Sequence, residues 1–326
     1  MPLLRRPRQP GHPRRPGSTR WMPGRLTATA RRTAASAVLV AGLAGCAGGA
    51  PGSGAPGRID VVASTSVWGD IAAQVGAPWV DVTSIISDPA QDPHSYQAST
   101  RTLLAIKDAD LLVENGGGYD DFMQQMISAS ATTAPVLDAV AISGLRPPVG
   151  GDLNEHVWYN LPTAEKVANR LAAALGRLAP RHAAAFTVNA DAFDHQVEGL
   201  IRAEHRVRAS DAGVGVGITE PVPLYMLQAM GLHNLTPPEF SRAVEESSDV
   251  SARVLAQTLA LYSQHRVALL VYNEQTSGPI TQQVKEAATA NAIPVVPVTE
   301  TLPPGMTYVS WMRQNVTRIK EALSQR

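Results

Sequence analysis

Four short polar segments carry the side chains best suited to chemistry, and each ends a strand-like apolar run or lies in the loop after one. They are Asp92-Pro93-His94-Ser95-Tyr96, Asn154-Glu155-His156-Val157-Trp158, Thr219-Glu220-Pro221 and Thr299-Glu300-Thr301-Leu302-Pro303-Pro304. In open parallel sheets, ligands collect outside the carboxyl ends of strands. Two imidazoles and two carboxylates from four loops would make a shell for a divalent first-row metal ion. Neutral imidazole suits Zn and Fe, while carboxylate suits Mn and neutralises the ion's charge. The only cysteine is Cys46, so neither a thiolate zinc finger nor a disulfide scaffold is available. Taken singly, each residue has an ordinary reading. A lone loop His more often caps or faces solvent, and Glu220 or Glu300 alone could sit in a first helical turn or pair with a cation. His182, His195, His205, His233 and His265 read as structural or surface residues, His12 falls in the leader, and Asp120-Asp121 and Glu245-Glu246 read as solvated charge.

The elements that must position these residues alternate. Strands are expected at 59–63, 80–86, 109–114 and 136–140, with helices at 67–76, 99–107 and 121–128 between them. From Thr163 to about Ala209 the pattern is wholly helical, broken at Pro180, and the second stretch could reach roughly 40 Å if continuous through Gly199. The α/β alternation then resumes, with strands at 213–219, 267–271 and 293–298 and helices at 222–230, 250–263, 280–290 and 308–323. The fold class is therefore α/β: two Rossmann-like lobes with parallel sheets, 58–162 and 210–326, joined by a long rigid linker helix within 163–209.

The ends of the chain bear on its compartment. Arg31-Arg32 precede an apolar run, Ala34 to Ala44, that is too short to span a bilayer. The run closes in Leu43-Ala44-Gly45-Cys46. Residues 1–45 thus read as a signal peptide ending in a lipobox, with Cys46 as the lipidated residue. The Arg/Pro-rich segment before Arg31 reads as unstructured, and translation from Met22 would omit most of it. Residues 46–57, rich in Gly, Ala and Pro, read as a flexible tether. The net charge of zero hides an asymmetry: nine of the 28 basic residues precede Cys46, leaving 19 basic against 28 acidic in the remainder. An acidic body lacks the basic footprint of a nucleic-acid binder.

The motifs also bear comparison with a known family. Asp92-Pro93-His94-Ser95-Tyr96 with Ser99-Thr100, then Asn154-Glu155-His156-Val157-Trp158, Thr219-Glu220 with Tyr225 and Gly231-Leu232, Thr299-Glu300-Thr301-Leu302, and the run Tyr308 to Asn315 occur in one order. In these the chain resembles the zinc/manganese-binding solute-binding proteins of ABC transporters, also called periplasmic metal-binding lipoproteins or adhesin-type receptors. The similarity covers about residues 58–325, and several motifs in order are specific together. The resemblance implies metal ligation by His94, His156, Glu220 and Glu300, with Zn2+ or Mn2+ (Fe2+ as a further option) as transported ligand. It also implies delivery to an ABC permease, a monomer held to the membrane through Cys46, no nucleic-acid partner and no chemical step. Two positions depart from the pattern: Glu155 replaces a usual Pro, and Glu300 stands where Asp is usual, one methylene longer. Two other readings share these residues or this shape. One is a siderophore- or corrinoid-binding protein, which needs a wide aromatic or basic cleft; the other is a metallohydrolase with Glu155 or Glu274 as base.

Overall fold

The computed structural model describes residues 57–88, 91, 96–148 and 151–325. The proposed signal peptide and Cys46, nearly all of the proposed tether and His94 lie outside the described residues. All described residues belong to one compact unit.

The first sheet is parallel, with order β2-β1-β3-β4: β1 Ile59–Thr65, β2 Val80–Ile86, β3 Leu111–Glu114 and β4 Val136–Asp138. Its crossovers are α1 Ser66–Gly76, α2 Thr100–Asp108 and α3 Asp121–Ser130, and α4 Ala139–Ser143 follows β4. The expected strand over 136–140 ends early because the Asp138 carboxylate accepts a hydrogen bond from Ala141 N and caps α4. Both faces of the central strands β1 and β3 are covered, which is why these two are nearly continuous apolar runs. Val61, Ala63, Leu111 and Val113 point into the large central core, while Val62 and Leu112 point the other way, towards Ile106 and Met123.

A 3-10 turn, Val157–Tyr159, leads into α5 Leu161–Leu178 and then, past a second such turn at Pro180–His182, into α6 Ala183–Asp211. Helix α5 begins two residues before the expected Thr163, since the Asn160 side chain accepts from Thr163 N and Pro162 is tolerated in a first turn. Helix α6 is continuous through Gly199, and its 29 residues make a rod of ~44 Å. Its buried positions, Phe186, Ala190, Phe193, Val197, Leu200, Glu204 and Val207, fall at alternating spacings of four and three and form one stripe.

The second sheet repeats the first, with parallel order β6-β5-β7-β8: β5 Gly215–Ile218, β6 His233–Asn234, β7 Leu270–Asn273 and β8 Val295–Val298. Its helices are α7 Leu224–Ala229, α8 Pro238–Glu245, α9 Ala252–Ser263 and α10 Pro279–Ala290. Helix α11, Tyr308–Leu323, closes the chain and packs on α6. One core runs through both lobes, joining Val61 and Leu111 to Val216, Ile218 and Val271 by way of α5, α6 and α11. In both sheets the strand order reverses direction beside the first strand, placing crevices between the carboxyl ends of β1 and β3 and of β5 and β7. No helix among the described residues is long and apolar enough to cross a membrane.

Candidate metal centre between the lobes

His156 stands at the start of the 3-10 turn and is wholly buried. Its ring packs edge-on to Trp158 and Tyr119, with centroids 5.1 and 5.8 Å away. Nδ1 lies 2.7 Å from Asn154 Oδ1. The Asn154 amide cannot be reversed, because its Nδ2 donates to Pro221 O at 3.0 Å, so Oδ1 faces the imidazole as an acceptor. Nδ1 therefore donates to Asn154, an outer partner of the kind that orients a metal-binding histidine. Nε2 faces Glu300 Oε2 at 3.9 Å.

Glu300 lies two residues past β8 and Glu220 two residues past β5, and both are buried. Tyr119 OH, from the first lobe, donates to Glu300 Oε2 at 3.0 Å. Asn273, the last residue of β7, donates through Nδ2 both to Glu300 Oε1, at 2.8 Å, and to Glu220 Oε2. Thr276 Oγ1 also donates to Glu220 Oε2. Three of the four expected side chains thus meet in one buried cluster, drawn from both lobes. The fourth, His94, is outside the described residues. The segments flanking it are tied down: Gln275 Nε2 donates to Gln91 O at 3.1 Å, and Tyr96 OH bonds Thr102 Oγ1 at 2.8 Å.

Loops from each lobe hold the cluster shut. In the first, Gly116, Gly117 and Gly118 all adopt positive φ, and Asp120 accepts from Asn115 N (2.6 Å) and Gly116 N (2.8 Å). A Cβ on Gly116 would come within 2.4 Å of Asp138 Oδ1, so this tight turn requires glycine. The turn delivers Tyr119 to Glu300. Across the cleft, Tyr225 OH donates to Asn154 O at 2.7 Å, Tyr159 OH to Thr299 O at 2.8 Å and Tyr308 OH to Trp158 O at 2.6 Å. The run from Tyr308 to Asn315 earns its place here, since Asn315 Nδ2 donates to Tyr159 OH.

Two acidic pairs differ from the solvated charge expected of them. Asp121 and Glu246 are exposed, but Asp120 is buried as the acceptor of the glycine turn, and Glu245 is half-buried against the site. Glu245 Oε1 lies 3.8 Å from His156 Nδ1. Burial, and then the charges of Glu155, Glu220 and Glu300, push its carboxyl up to about 9. With Glu155 and His156 it forms a set whose donor atoms all lie within 4.8 Å of one another. A signal for Glu245 existed: it sits four residues after buried Ser241, on the inward face of α8. Asn273 had a weaker one, as a polar residue ending an apolar strand. Glu274 is exposed and turned towards Trp311 and Arg318, so it does not face this cluster.

A cavity of about 800 Å³ adjoins the cluster between the lobes and includes Asp152, Glu155, Arg242, Glu245 and Glu246 in its wall. Its acidic lining attracts cations and disfavours anionic ligands.

Known proteins resemble this chain in sequence and in fold. The chain is 30% identical over 163 residues to the manganese-binding lipoprotein MntA of Bacillus subtilis, covering 48% of this chain and 53% of that protein. It is 26% identical over 149 residues to the iron-binding protein YfeA of Yersinia pestis, covering 44% and 47%. The match thus spans about half the length of these relatives. The fold matches the periplasmic zinc-binding protein TroA from Treponema pallidum with a TM-score of 0.70 at 19% identity, covering 82% of this chain and 99% of that one. Residues 61–322 match the profile of the periplasmic component A of the zinc-uptake complex, ZnuA, and the chain belongs to that family.

Proposed function

We propose that this protein captures a divalent transition-metal ion, Zn2+ or Mn2+, in the cleft between its lobes and delivers it to an ABC permease, tethered to the membrane through a lipid on Cys46. The observation that carries this reading is the meeting of His156, Glu220 and Glu300 from three loops of two lobes. The 3.9 Å between His156 Nε2 and Glu300 Oε2 lies within the span of two metal bonds of about 2.1 Å each. His94 completes the proposed ligand set. The names of the relatives support the metal reading, since they bind manganese, iron and zinc. The acidic cavity wall argues against a siderophore- or corrinoid-sized ligand, and the outward position of Glu274 removes one base from a hydrolytic reading.

Function here is binding and release without a chemical step. An ion held by groups from both lobes stabilises the closed form, in which Asn154 and Tyr225 bridge the cleft. The continuous helix α6 and the shared core limit opening to a small hinge motion. The test is elemental analysis of the purified chain, stripped with chelator and reloaded from a Zn/Mn/Fe mixture, beside a His94→Ala/His156→Ala double variant. One metal per chain in the wild type and none in the variant is expected. A wild type that retains no metal would refute the reading.

A further inference from the structure

Tyr119 follows directly on the glycine turn of the first lobe, where Gly118 has a φ of 95°. It is 3% exposed. Its ring tilts against Trp158, with centroids 4.7 Å apart, and stands edge-on to His156 at 5.8 Å. Its hydroxyl crosses the cleft and donates to Glu300 Oε2 at 3.0 Å. That oxygen is the one 3.9 Å from His156 Nε2. One side chain therefore packs on one proposed ligand and holds the atom of another that faces it. Asn273 and Gln275 hold Glu300 differently. Asn273 Nδ2 donates to its Oε1 and Gln275 Oε1 accepts from its backbone N–H, both from the lobe that carries Glu300 itself. These contacts travel with that lobe. The bond from Tyr119 requires the first lobe to be closed on the second.

On the metal-carrier reading, on which this inference rests, the difference matters for release of the ion. A glutamate has one more side-chain torsion than an aspartate, and freezing it costs conformational entropy unless a partner already fixes it. A hydroxyl donating to a carboxylate makes a charge-assisted hydrogen bond, strong enough to set the carboxylate's direction. It does not block ligation, because a carboxylate oxygen that accepts one hydrogen bond keeps a second lone pair for a cation. An ion between His156 and Glu300 is then bound by an oxygen that the opposite lobe steadies. Opening the cleft withdraws Tyr119 and frees the Glu300 carboxylate to turn away. We infer that Tyr119 is a positioning residue for metal binding, which fixes Glu300 Oε2 beside His156 in the closed form and so makes the hold on the ion depend on closure.

The experiment loads the full chain with Zn2+ and, separately, Mn2+, and follows release into excess chromophoric chelator by stopped flow. Tyr119→Phe is compared with the wild type, and the same substitution is repeated in Glu300→Asp and in Glu300→Ala. Tyr119→Phe keeps the ring on His156 and Trp158 and removes only the hydroxyl. Glu300→Asp draws the carboxylate back by about 1.5 Å, out of hydrogen-bond reach of the phenol. In the wild-type background, release should become at least about tenfold faster, the size expected for one hydrogen bond to a charged group. Association should change less than about threefold, because the bond belongs to the closed form. In both Glu300 backgrounds the substitution should alter release less than about threefold, because the group through which it acts is out of reach or gone. An unchanged release rate in the wild-type background would overturn the inference. So would an equal acceleration in all backgrounds, which would reduce Tyr119 to packing against His156. A wild type that retains neither metal would sink the carrier reading itself, whereas bound metal with either of those two results would sink only this inference.

Discussion

Glu204 is the charged member of the buried stripe on α6, between Leu200 and Val207. It is 2% exposed, and its Oε1 has no hydrogen-bond partner among the described residues. Tyr308 of α11 is the phenol whose own ionisation its charge opposes. Burial alone raises the Glu204 carboxyl from 4.5 to about 8. Because the folded value lies above the unfolded one, the folded state holds the extra proton between those limits. Stability from this group is fully present below pH 4.5 and is lost as pH rises through about 8. At about 1.4 kcal/mol per pH unit the full loss would approach ~5 kcal/mol. Opening of the last turns of α6 gives the ionised form a cheaper route to water, so we expect ~2–3 kcal/mol. The assay is urea unfolding in the presence of chelator at about pH 5 and pH 8.5, comparing wild type with Glu204→Gln. The wild type should lose ~2–3 kcal/mol relative to the variant across that range. The comparison cancels the other raised carboxyls, such as Glu114 at about 7. Curves that stay parallel within ~0.5 kcal/mol would refute the burial argument.

Two further outcomes follow from the same geometry. Gly199→Ala should stabilise the chain by ~0.5–1 kcal/mol in urea unfolding, because a Cβ there meets nothing closer than Arg202 Nη2 at 3.8 Å. Tyr225→Phe removes a cleft-bridging bond to Asn154 O without touching a proposed ligand. Stopped-flow chelation should then show metal release faster by about tenfold, and an unchanged rate would mean that the bridge does not hold the closed form.

Much of the fold was legible because the central strands of both sheets are buried on both faces. That burial makes β1 and β3 apolar runs bounded by polar turns, and the strand Val80–Ile86 and the helix Tyr308–Leu323 match their expected limits. The elements without a pattern of their own were harder to read. β6 is two residues long and exists only as an edge partner of β5, and α8 begins at Pro238, just after the N-cap Pro237, and buries Phe240 and Ser241 on its inward face.

The site divides along the same line. Residue type and position after a strand singled out Glu220 and Glu300, and a polar loop singled out His156, because donor groups in such places are a local property of the chain. Their partners were not local. Asn273 lies 53 residues from Glu220 and 27 from Glu300, and Tyr119 lies 181 from Glu300. Nothing in the spacing of those residues marks them as neighbours. Glu245 and Asp120 carry the composition of surface charge; Asp120 is buried by the glycine turn of its own lobe and Glu245 is half-buried against His156 of the other. The sequence by itself determined which donor groups stand in the loops that face the cleft. The tertiary structure decided which oxygens are held, by what donors and how tightly, since those depend on contacts made across two lobes.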